Sequence, residues 1–129
     1  MNFKTTEEAR TTLETIDHVL GLSQVILNAS LKEPNGQREP VTLTFAEKRA
    51  LILHNLKKAA DILRNAEDLS QFTIVFDRGG NVSEFPFWNN INGPIADAIW
   101  HTGQIVLLRR ASGNPFNSKV SVFQGIVRD

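Results

Sequence analysis

Cysteine is absent from this 129-residue chain, which excludes disulfides, thiolate zinc sites and a cysteine nucleophile. That absence fits either redox environment. An excess charge of one sign is also lacking, because 14 Lys and Arg are balanced by 14 Asp and Glu. Broad electrostatic binding of nucleic acid or an anionic membrane needs a basic surface, so both are excluded as expectations. No apolar run approaches the roughly 20 residues that span a bilayer, and the polar start Met1-Asn2-Phe3-Lys4-Thr5 is no signal peptide. There is no Gly-rich phosphate loop. Gly21-Leu22-Ser23 falls inside a helical pattern and is no nucleophile elbow. Internal repeats and low-complexity linkers are missing too.

What remains is an ordinary globular balance, 41% hydrophobic and 22% charged, in a length that suits one domain over residues 1–129. A cytoplasmic location is expected. The chemistry must come from His, Asp, Glu, Ser or a metal.

Three helices and a hairpin are predicted. Thr5 with Glu8 has capping-box spacing, and Ala9, Leu13, Ile16, Leu20 and Leu27 then follow at helical period. Val19, Leu22 and Ile26 form a second apolar strip, so the later half of this helix should be buried on two sides, and the turn formers Pro34-Asn35-Gly36 end it. A second box, Thr44 with Glu47, opens a helix to about Ala66. It has one wide apolar stripe (Phe45, Ile52, Leu53, Leu56, Ala59, Ala60, Leu63), and Glu47, His54, Lys58, Asp61 and Asn65 lie opposite. Thr73–Phe76 and Val82–Phe85 flank Arg78-Gly79-Gly80-Asn81 and read as a hairpin, after which Phe87 to Asn92 forms a helical turn.

The third long helix is expected from Gly93-Pro94, with Pro at its first position, to about Ala111 or Ser112, where Gly113 and Pro115 stop it. Ile95, Ile99 and Val106 on one side and Trp100 and Leu107 on another predict burial around most of its circumference. Gly103 predicts the close approach of a neighbouring helix. Arg109 and Arg110 complement the helix dipole. The tail Val120-Ser121-Val122-Phe123 alternates and is expected to lie extended over the bundle.

The three histidines occupy different faces. His54 sits among Glu47, Lys58 and Asp61 and is expected in solvent. His101 follows Asp97 by one turn, which stacks an imidazole on a carboxylate along a largely apolar helix. A buried carboxylate needs a cation, a donor cluster or a metal, so a structural hydrogen bond and a metal site both satisfy the pattern. His18 lies with Glu14, Leu22 and Val25 on a half-apolar strip, where it is either a core histidine bonded to Glu14 or a group facing Asp97 and His101. Two imidazoles and one carboxylate would leave coordination positions open, as catalytic metal sites do.

His101-Thr102-Gly103-Gln104 resembles the closing His-x-Gly-Gln of the DinB-like (YfiT-like) helical-bundle superfamily. The stretches Phe85-Pro86-Phe87-Trp88, Asn92–Ala98 and Arg109–Pro115 are similar to one branch of it, as is the opening Ala9–His18, so the likeness covers most of the chain. It implies an all-α up-and-down four-helix bundle that binds a divalent metal, commonly zinc or nickel, through three histidines. His18 matches the early one and His101 the last. Asp97 stands where the family has the remaining histidine, and a carboxylate is the harder ligand, which admits iron or manganese. Family members usually carry a helix before the first histidine. This chain begins almost at it, so either the sequence is a fragment or a partner chain supplies that helix.

Two classes of function follow from the resemblance. One is a metal-dependent thiol transferase or hydrolase acting on a small molecule, a thiol or another small substrate, with His18, Asp97 and His101 on the metal and with Gln104 as a nearby donor. Glu14 would then be an orienting or proton-accepting group. The other is a non-catalytic metal-binding or oligomerisation module of a stress response. In both, a homodimer is expected, with the partner's helices covering the side of the missing helix.

Overall fold

The computed structural model describes residues 1–37, 42–122 and 124–129. Helix α1 (Thr12–Leu31) starts at a capping box made by Thr11 and Glu14, six residues beyond the box expected at Thr5 and Glu8. The reason lies in the leading segment. It folds back so that the carbonyls of Met1 and Phe3 accept from the N–H groups of Leu13 and Thr12, which a helix start leaves without partners. As expected, α1 is buried on two sides, and it ends at Lys32, which adopts the left-handed conformation at φ 59°.

Helix α2 (Phe45–Arg64) begins at the Thr44–Glu47 box, as the spacing requires. Its inward face is narrower than the apolar stripe. Ala59 packs with Ile26 and Leu27 of α1, and Asn55 donates to the Ser23 hydroxyl at 3.2 Å, whereas Phe45, Leu53 and Leu56 stay exposed. Contact with α1 alone cannot cover a stripe that wide.

Strands β1 (Ile74–Asp77) and β2 (Val82–Phe85) pair antiparallel, with Ile74 opposite Phe85 and Asp77 opposite Val82. Gly79 and Gly80 turn the hairpin at φ 69° and 93°, where a Cβ would be strained. Two strands are marginal alone. Here Asn35, in the loop after α1, lies beside β1 and exchanges backbone bonds with Val75 and Asp77. Its side chain donates to the Val75 carbonyl and accepts from Asn28.

Helix α3 (Phe87–Asn90) runs through a π-helical turn (Ile91–Ile95) directly into α4 (Ala96–Ala111). Pro94 is therefore inside a continuous helical path and not at a helix start. Its ring and missing N–H disrupt an ordinary α-turn, and the wider turn accommodates both. Only Ala98 and Leu108 of α4 are buried, while Ile99, Trp100 and Leu107 are each more than 60% exposed. The expected burial around α4 fails because its main helical neighbour is α1. Gly103 likewise has nothing within 4 Å of where a Cβ would stand, so no helix among the described residues approaches it closely.

The tail is not one extended strand. Strands β3 (Val120–Ser121) and β4 (Ile126–Val127) form a second small hairpin, and Phe123 lies outside the described residues. The molecule is thus mostly helical, with α1 between α2 and α4. The open side between those two is a groove of about 520 Å³ that includes Ile16, Val19, Phe45, Ile52, Leu53 and Ile105. No helix among the described residues is long and apolar enough to cross a membrane.

Candidate metal centre

His18 and Asp97 are 79 positions apart, and the packing of α4 on α1 brings them together, with His18 Nε2 at 3.1 Å from Asp97 Oδ2. The other oxygen of the same carboxylate, Oδ1, is 3.2 Å from His101 Nε2. The two imidazole rings stand at 88° with centroids 4.6 Å apart. His101 is the most enclosed, its side chain 12% exposed, while His18 and Asp97 are 35% and 43% exposed. One donor atom from each of the three lies within 4.8 Å of the others, a cluster that could hold a metal ion.

The hydrogen bonding around His101 bears on that fit. Its Nδ1 lies 2.7 Å from Gln104 Oε1, and an amide oxygen can only accept, so Nδ1 carries the proton. In the neutral ring Nε2 is then a lone pair, and it faces a carboxylate oxygen that is also an acceptor. Two acceptors at that distance need a positive charge between or beside them. Either a second proton on the ring, which makes the contact an ordinary ion pair, or a divalent cation supplies it. The two separations run to different oxygens of the one carboxylate, whereas a metal would take one donor atom from each of the three residues, and those lie within 4.8 Å of one another.

The other residues weighed from the sequence fall elsewhere. Glu14 closes the capping box in the first turn of α1, its carboxylate accepting from the Thr11 N–H at 2.7 Å and from the Thr11 hydroxyl at 2.9 Å. Those bonds, backbone first, hold its pKa below the ordinary glutamate value. His18 bonds to Asp97 and not to Glu14. His54 is exposed on α2 near Lys58 and Asp61. Arg109 donates to the carbonyls of Asn114 and Pro115 and so closes the end of α4.

The residues around the triad were harder to read. Leu22, Val25 and Phe76 wall the space beside His18 and Asp97, and Asn35 holds the Phe76 strand there. Each has a sufficient local explanation as a helix stripe, a strand or a turn, and no spacing links positions 22 and 76. Compared with family models, with curated proteins and with solved structures, the chain matches none.

Proposed function

We propose that this chain is a DinB-like, metal-dependent protein that acts on a small molecule as a thiol transferase or hydrolase, with His18, Asp97 and His101 as its metal ligands. The observation that carries the reading is the bridging carboxylate of Asp97, flanked by two imidazole nitrogens at 3.1 and 3.2 Å. The contact of His101 Nδ1 with Gln104 Oε1 at 2.7 Å supports the tautomer that leaves Nε2 free for a metal. The likeness of His101-Thr102-Gly103-Gln104 and its flanking stretches to that superfamily supports the same assignment.

A divalent cation in such a site lowers the pKa of a bound water or thiol and so provides a nucleophile near neutral pH. Three protein ligands leave a position for it. The chain's own contribution is orientation and shelter. Gln104 fixes the His101 ring, Asp97 supplies the charge that offsets the cation, and the apolar side chains Leu22, Val25 and Phe76 limit water beside His18. Zinc and nickel suit two imidazoles, while the carboxylate in place of a third imidazole also admits iron or manganese.

Self-association completes the reading. The groove between α2 and α4 leaves Phe45 and Leu53 about half exposed, and a second copy of a chain with no net charge covers such a patch without long-range repulsion.

Elemental analysis of the purified protein, followed by zinc and nickel titration and a thiol-transfer screen, tests the proposal. Stoichiometric metal that is lost in His101→Ala and kept in His54→Ala supports it. Metal that follows His54 instead overturns it. Stoichiometric metal that takes up no exogenous ligand favours the non-catalytic module.

A further inference from the structure

The face of α1 toward the β1–β2 hairpin carries two cavities of about 560 and 580 Å³. Leu22, Val25 and Phe76 line both, so the two adjoin along one face, here called the trough. His18 and Arg78 line one end, and Asp97 and Trp100 the other. Two of the three triad residues thus open on the same trough, one in each half.

Among the described residues, the charges along this trough are few. Asp17 is ion-paired with Lys48, and Asp97 belongs to the triad. The Arg78 guanidinium, at the hairpin turn, enters no ion pair among the described residues. With a divalent cation on the triad, the cation and Arg78 outweigh Asp97, and the trough is positive over an apolar floor. Arg78 is exposed at its end of the trough, and a guanidinium at the mouth of an apolar trough is a receptor for a carboxylate carried on a hydrocarbon body.

We propose that the trough binds an organic carboxylate with an apolar body, its donor group toward the His18–Asp97–His101 metal, its chain over Leu22, Val25 and Phe76, and its carboxylate on Arg78. This rests on the metal reading of the triad and adds the class of ligand to it. Gly21 lines the Arg78 end, with nothing within 4 Å of where its Cβ would be, so the wall is open there.

The test uses the zinc-loaded protein and two probes, octanohydroxamate and the same chain ending in a carboxylate, followed by calorimetry. The carboxylated probe should bind about tenfold more tightly, the effect of one charge-assisted hydrogen bond. Arg78→Ala should remove that preference and leave the neutral probe unchanged, and Arg78→Lys should keep part of it. Gly21→Leu, which favours the helix and fills the trough, should weaken both probes. Equal affinity of the two probes for zinc-loaded protein would overturn this inference and leave the metal site standing. Failure of the protein to bind zinc or any other divalent cation would overturn both.

Discussion

His101 shows how much one side chain's second nitrogen matters. The bond from Nδ1 to Gln104 decides which ring atom faces Asp97, and with it whether the site offers a lone pair or a proton. Gln104→Ala should therefore leave metal binding in place but weaken it by about 10–100-fold, measured by competition with a chelator. His101→Ala should abolish it. A different residue-scale effect sits at the capping boxes. Glu47 accepts from the Thr44 hydroxyl and backbone N–H, and these bonds hold its pKa below the ordinary 4.5. A carboxylate depressed in the folded state stabilises above its unfolded pKa and loses that contribution as pH falls through the folded value. Glu47→Ala should thus be less stable than the parent at pH 7, with the gap narrowing as pH falls below the ordinary glutamate range. A gap that is constant from pH 7 to pH 3 in denaturant titrations would exclude the charge as its source.

The hairpin is the element least able to stand alone, and Asn35 is its tie to α1. Its amide donates to Val75 and its carbonyl oxygen accepts from Asn28, with both Asn side chains buried. Asn35→Ala should cost roughly 1–3 kcal/mol, because the Asn28 amide and the Val75 carbonyl both lose that partner. Hydrogen exchange should show the loss concentrated in β1, with α2 nearly unchanged. If protection falls evenly across the molecule, the hairpin is not a separable unit. The π-helical turn at Ile91–Ile95 has a related role, since it carries the chain from the hairpin into α4 and Gly93 and Pro94 line the trough beside Asp97.

The whole molecule is an open arrangement, with α1 between α2 and α4 and a groove left between the flanking helices. Leu53 borders that groove and is about half exposed, so Leu53→Glu removes apolar surface without emptying a core position. Sedimentation at micromolar concentration should give a dimer for the parent and a monomer for Leu53→Glu, both with full helical circular dichroism. A parent that sediments as a monomer would refute the association.

Local rules written along the chain account for much of this. The Thr44–Glu47 box, the paired β-runs around Gly79-Gly80 and the Gly113 stop all act within a few residues, and each forms where its spacing says. His101 lies one turn after Asp97 on any helix through both, so half of the candidate site is legible in the same way. The rest depends on which faces meet. Thr5–Glu8 and Thr11–Glu14 have the same spacing, and the fold-back of Met1 and Phe3 selects the second. Apolar periodicity marks the stripes of α2 and α4 but not whether anything lies against them, and Phe45, Leu53, Ile99 and Trp100 remain in solvent because α1 has only two flanks to offer. His18 reaches Asp97 across 79 positions by the packing of α1 on α4, a separation at which no local spacing rule operates.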